Sequence, residues 1–179
     1  RPFGDVDIVV RPEQHAAAMA VLKEGKYDEC PIDLHRGLGR MHGQSFDALY
    51  ARSQTIRLKE VDIRILAAED HLVVLIRHFL RHNAWRPLWL CDIAAVLESR
   101  PPDFDWDRCL GGNRRHAGCV AYTLGLAHRL LDADVENTPV ADCANHLPSW
   151  LVPAVLRQWD RCVGAGERKR VVRYIASHW

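Results

Sequence analysis

Arg1-Pro2-Phe3-Gly4-Asp5-Val6-Asp7-Ile8-Val9-Val10 is the stretch on which the fold turns. It closes on three β-branched residues, and two carboxylates stand two positions apart just ahead of them, a pattern that suits a strand. Successive side chains in a strand alternate faces, which sends Asp5 and Asp7 to one surface and Val6 and Ile8 toward the core. Two like charges held side by side repel, so the pair persists at low cost only with a cation or basic group between them. Hard divalent cations with oxygen ligands are the natural partner, and Mg²⁺ takes one or two carboxylates together with substrate phosphates. The stretch thus reads either as a metal and phosphate site or, on D-x-D alone, as a solvated strand edge carrying two acids.

Downstream, Arg11-Pro12-Glu13 carries helix-start signals, and a helix is expected from about Pro12 to Glu24 with Gly25 as a left-handed C-cap. Its side formed by Ala16, Met19, Ala20 and the stem of Lys23 should cover one face of the sheet. In Ile32-Asp33-Leu34-His35 apolar and polar residues alternate, the mark of a half-buried strand. Asp33 and His35 then share a face, as a functional pair or as exposed groups on an edge strand. The unperturbed pKa of a histidine near 6.5 suits His35 to a supporting or proton-carrying role, and a satisfied structural imidazole is the other reading.

Gly37 to Gly43 is a glycine-rich loop, and Ser45 suits the N-cap of a short helix over Phe46–Arg52. Gln54–Leu58 and Val61–Ile65 alternate across Lys59-Glu60 and predict a hairpin with Arg57, Lys59, Asp62 and Arg64 on its solvated side. From Ala67 the period changes to 3.6 and stays there, which divides the chain into an α/β part, 1–67, and a helical part, 68–179. Helices are expected over Glu69–His82, over Trp85–Leu97 with Pro87 near the first turn, over Asp105–Leu110, from Asn113 to Leu131 and from Pro148 or Ser149 to Val163. Asp132 to Pro148 reads as a polar connection, and the basic segment from Glu167 as a solvated helix face.

His71, His78 and His82 fall near one helical stripe; they line a cleft or bond backbone groups, while a zinc reading lacks both H-E-x-x-H and a nearby cysteine. Asp92 sits among Leu90, Cys91, Ile93 and Ala94, so it must be paired or exposed. Arg77, Arg81 and Arg86 are the candidate partners, and the alternative is a carboxylate facing a cleft.

Composition narrows the field. The 179-residue chain suffices for a real core, and 24 basic against 23 acidic residues give a net charge of +1, so no overall field draws it to a long nucleic acid or a lipid surface. Six cysteines are spread widely without a C-x-x-C pair, which suits reduced thiols and a cytoplasmic protein. No apolar run approaches the roughly 20 residues that span a bilayer, and no signal peptide is visible.

Gly4-Asp5-Val6-Asp7-Ile8-Val9-Val10 resembles the G-D-h-D-h-h-V signature of polymerase-beta-like nucleotidyltransferases. More narrowly, R-P-F-G-D-V-D-I-V-V-R-P-E followed by an Ala-rich helix ending in E-G-K-Y is similar to a bacterial family of uncharacterised nucleotidyltransferases. Ile32-Asp33-Leu34-His35 and Trp89-Leu90-Cys91-Asp92-Ile93 look like its later landmarks, and the resemblance runs from Arg1 to about Leu131. It implies an α+β fold: a small mixed β-sheet nucleotidyltransferase core, its N-terminal part incomplete, followed by an all-helical C-terminal subdomain. The family's phosphate-cradling glycine-serine loop would precede Arg1, and the connection from Tyr27 to Ile32 is shorter than the family pattern.

By the same resemblance, Asp5 and Asp7 would ligate two Mg²⁺ ions, with Mn²⁺ as the alternative metal. Asp33 would hold the ion that activates the acceptor and take the acceptor's proton. Gly4 and Arg1 would lie on the nucleotide side, with His35 and Asp92 behind the ligands. The implied activity is transfer of a nucleotide from an NTP to a hydroxyl of a small-molecule or protein acceptor, the helical part closing one wall of the cleft. A catalytically silent accessory protein on the same scaffold, or a metal-dependent phosphohydrolase, is the alternative.

Overall fold

Val6, Ile8, Val9 and Val10 extend as strand β1 (Val6–Val10) in the computed structural model, which describes residues 6–25, 31–38 and 43–163, and of 161–163 the backbone alone. Arg1, Gly4 and Asp5, the connection after Tyr27 and the basic segment from Glu167 lie outside the described residues. β1 pairs in parallel with β2 (Ile32–Arg36), Val6 opposite Ile32 and Val10 opposite Arg36. Two more backbone bonds continue the ladder, Val6 N–H to the Pro31 carbonyl and Gly37 N–H to that of Val10, both 2.9 Å. Gly37 follows at φ +67°, a left-handed turn that a side chain would strain.

A parallel pair requires a crossover. Here it holds a 3₁₀ turn at Pro12–Gln14 and helix α1 (His15–Glu24). Gly25 is extended, φ −83° and ψ 152°, and not left-handed; its N–H bonds the Val21 carbonyl at 3.1 Å, so the helix ends by straightening. The inward side of α1 is also rotated from the expected one. His15, Ala18, Met19 and Leu22 are half-buried while Ala16, Ala20 and Lys23 are exposed, because the long Met19 and Leu22 side chains set the stripe that leans inward. Val6 and Ile8 do not enter a core. They remain 44% and 37% exposed, while their register partners Ile32 and Leu34 on β2 are half-buried.

Helix α2 (Phe46–Arg52) starts where expected, with Ser45 Oγ accepting from Ala48 N–H at 3.2 Å. Strands β3 (Gln54–Leu58) and β4 (Val61–Ile65) form the antiparallel hairpin, turned by Lys59 at φ +54°. Arg57 on its solvated side donates to Asp62 at 2.9 Å. Among the described residues parallel and antiparallel pairings thus both occur, in two separate two-stranded ladders, and the fold is α+β.

The core lies in the helices α3 (Ala68–Arg81), α4 (Pro87–Glu98), α5 (Trp106–Leu110), α6 (Arg114–Leu131), α7 (Ala141–Asn145) and α8 (Leu151–Val163). Leu72, Ile76 and Phe79 of α3 meet Leu90, Ile93 and Leu97 of α4, Val120 and Leu124 of α6 and Leu151 and Val155 of α8. Each such side chain contributes about 1.5–3 kcal/mol by leaving water. The stretch 132–148 is more than a polar connection: α7 lies within it, and Val135, Val140 and Ala144 are buried. Gly125 makes this packing possible. A Cβ there would stand 2.6 Å from Leu147 Cδ2 and 2.9 Å from Ala144 Cα.

Buried ions anchor the start of α3. The Asp70 side chain is 1% exposed and receives a bidentate guanidinium, Arg52 Nε to Oδ2 at 3.0 Å and Nη2 to Oδ1 at 2.9 Å. Arg52 Nη2 also donates to Gln44 Oε1 at 2.6 Å. Its neighbour Glu69 accepts the Asp105 N–H at 2.9 Å and faces Arg108 at 3.4 Å, joining α3 to the N-cap of α5.

Candidate metal centre

Asp7 and Asp33 are register partners in the parallel ladder, side by side on adjacent strands. In-register residues of neighbouring strands point to the same face, so both carboxylates project together. His35 is two residues beyond Asp33 on β2 and projects from the same side. Its Nε2 lies 2.6 Å from Asp7 Oδ1 and 3.5 Å from Asp33 Oδ2. A carboxylate only accepts, so Nε2 carries the proton of the shorter contact. The longer one exceeds ordinary hydrogen-bond length.

One ligand atom from each of Asp7, Asp33 and His35 lies within 4.8 Å of the others, the only such group of three among the described residues. The carboxylates are open to solvent, with side-chain exposures of 67% and 60%, while the imidazole retains 29%. Two donors bound side by side on one ion at about 2.1 Å stand roughly 3 Å apart. The 2.6 and 3.5 Å separations bracket that spacing. Residues with two carboxylates on one face, reachable from water, fit a hard divalent cation.

The remaining residues singled out in the sequence fall elsewhere. Arg11, which flanks β1, ion-pairs with Asp47, and its guanidinium lies over the Phe46 ring at 4.8 Å, so it ties the strand to α2. On α4, Asp92 acts on His71: burial pushes that imidazole below its usual pKa range, and the Asp92 carboxylate partly offsets it. His78 and His82 pack on each other, ring centroids 4.5 Å apart, and on Trp89 at 4.4 and 5.3 Å. The histidine spacing signalled that cluster, but nothing in it pointed to the indole. The i, i+2 step from Asp33 was the one sequence signal for a histidine within the acidic pair.

A family model described as uncharacterised nucleotidyltransferase matches residues 1–132. The chain belongs to this family. No curated protein and no solved structure matches it. The matched span holds both strands of the Asp7–Asp33 ladder, the hairpin and the helices through α6, and stops at the left-handed C-cap Asp132. Membership of a nucleotidyltransferase family supports nucleotidyl transfer in general and an NTP as substrate. No helix among the described residues is long and apolar enough to cross a membrane.

Proposed function

We propose that the chain is a metal-dependent nucleotidyltransferase of the polymerase-beta-like kind, moving a nucleotide from an NTP to the hydroxyl of a small-molecule or protein acceptor. The observation that carries this reading is the pairing of Asp7 with Asp33 in register, inside the matched span. Asp5 joins them by its D-x-D spacing alone, and Gly4 and Arg1 take the nucleotide side on the family resemblance.

Asp7 and Asp33 would hold Mg²⁺ or Mn²⁺. Bound there, divalent ions lower the pKa of the acceptor hydroxyl and neutralise triphosphate charge. Asp33 accepts the acceptor's proton, and His35 Nε2 stands 2.6 Å from Asp7 Oδ1 on the same face. The protein's share is position and charge, with no covalent intermediate. We further propose that residues 1–67 carry this chemistry, and that residues 68–179, with Asp92 as a supporting acid, close one wall of the cleft and select the acceptor.

Incubation with an α-labelled NTP, Mg²⁺ and pools of candidate acceptors tests the reading. Labelled product and Mg²⁺-dependent NTP binding are expected, with both lost in Asp7→Asn and Asp33→Asn. Nucleotide affinity untouched by these variants, with no labelled product, favours a silent accessory protein instead. Free phosphate release without an acceptor favours a phosphohydrolase.

A further inference from the structure

We propose that His35 is a direct nitrogen ligand of the ion held by Asp7 and Asp33, and that this third donor makes the centre select Mn²⁺ over Mg²⁺. The inference rests on the metal-dependent reading above and specifies its ion.

Three observations carry it. The His35 Nε2 lies 2.6 Å from an Asp7 oxygen and 3.5 Å from an Asp33 oxygen, so an ion bridging Asp7 and Asp33 lands within its reach. The imidazole is the least exposed member of the three, with 29% of its side chain in solvent, so it is already oriented while both acids remain open. It also leaves the same face of the same strand as Asp33 by the fixed two-residue step, so backbone geometry holds the pair together.

Coordination requires one rearrangement. The proton on Nε2 moves to Nδ1, giving the other neutral tautomer, and the freed lone pair takes the place of the hydrogen bond to Asp7. Imidazole nitrogen suits first-row transition metals, whereas Mg²⁺ prefers oxygen and keeps its waters. Carboxylates suit both ions. A set of two carboxylates and one imidazole therefore keeps Mn²⁺ within its preferences and handicaps Mg²⁺.

The test uses the full chain with Mn²⁺ as probe. Free Mn²⁺ is followed by electron paramagnetic resonance, and the bound ion by electron spin echo modulation, which registers a coordinated ¹⁴N directly. Wild type should bind Mn²⁺ with ¹⁴N modulation and resist displacement by Mg²⁺. His35→Gln should lose the modulation and bind Mn²⁺ at least about tenfold more weakly, the scale on which partners of a metal site matter, with Mg²⁺ affinity nearly unchanged. His146→Gln, at the exposed end of α7, should behave as wild type. Mn²⁺ bound in an Asp7-dependent way without ¹⁴N modulation overturns the inference and leaves the metal centre standing, with His35 only positioning Asp7. Mn²⁺ binding indifferent to Asp7→Asn overturns both. The wild-type modulation needs no variant to fold, and circular dichroism of His35→Gln separates lost ligation from lost structure.

Discussion

Replacing Arg52 with Met should expose how far a single ion pair carries the start of α3. The variant keeps most of the aliphatic length but removes the guanidinium that makes two hydrogen bonds, 3.0 and 2.9 Å, to a carboxylate whose side chain is 1% exposed. Breaking a buried pair by removing one partner costs about 3–5 kcal/mol, since the charge left behind has given up its hydration. Two features place Arg52→Met at the lower end. Arg52 itself keeps 24% of its side chain in solvent, and Asp70 has a further polar interaction beyond this pair. A loss of about 3 kcal/mol corresponds to about 6–12 °C in Tm for a chain of this size.

The assay is urea unfolding followed by far-ultraviolet circular dichroism, since guanidinium would screen the pair under study. Arg52→Met, Asp70→Leu and the double variant close a thermodynamic cycle. Both charges vanish together in the double variant, so it should lose clearly less than the sum of the singles, with a coupling of about 1.5–3 kcal/mol. The coupling should survive 1 M salt, because a buried pair is screened little. A single-variant loss below about 1 kcal/mol, or additivity within about 0.5 kcal/mol, would refute the account of the pair as a buried latch.

Burial drives the Cys109 thiol up to about 12, so at pH 8 it should resist iodoacetamide while exposed Cys91 is alkylated; equal labelling of both by peptide mass spectrometry contradicts the packing of α5. Gly125→Ala places a methyl 2.9 Å from Ala144 Cα, and overpacking of about 1–3 kcal/mol, offset by about 1 kcal/mol of helix propensity, should lower Tm by a few degrees; a gain in Tm means α7 sits less closely on α6. On the proposed reading, Mn²⁺ at ten times its Kd should stabilise the chain by about 1.4 kcal/mol, or about 3–6 °C, with no shift in Asp7→Asn; equal shifts in both proteins by differential scanning fluorimetry would place the bound ion elsewhere.

What the sequence made legible follows from how local each cause is. The hairpin 54–58 and 61–65 and the helix over Phe46–Arg52 depend on alternation and on one capping serine, and both formed within the expected bounds. Alternation gave Asp7 and Asp33 a face each on its own strand, but only the family resemblance set the two strands side by side, and the register Asp7 opposite Asp33 comes from the folded ladder. The lean of α1 was not legible, since Ala16 and Ala20 are as apolar as Ala18 and only the packing of Met19 and Leu22 decides. Helix α7 was hidden by its turn-rich surroundings, and its place depends on a glycine in a different helix, Gly125. The Arg52–Asp70 pair was invisible for the same reason: eighteen residues and a hairpin separate its members, and no pattern in either neighbourhood names the other.

These ties bear on how the candidate centre is held. The buried cluster runs from Leu72 to Val155, and none of its members belongs to β1, β2 or α1. The ladder that carries Asp7, Asp33 and His35 leaves Val6 and Ile8 open, so hydrophobic burial is a weak restraint on it. Directional contacts supply part of what packing does not. Arg11 at the end of β1 pairs with Asp47 and lies over Phe46 on α2. At the other end of α2, Arg52 reaches into Asp70 at the head of the helical core. The first link is exposed and weak on its own, a fraction of a kcal/mol by the usual scale of surface pairs, whereas the second is buried and strong. Asp7, Asp33 and His35 all lie on the strands, and α2 ties those strands to the helical core through one pair at each of its ends.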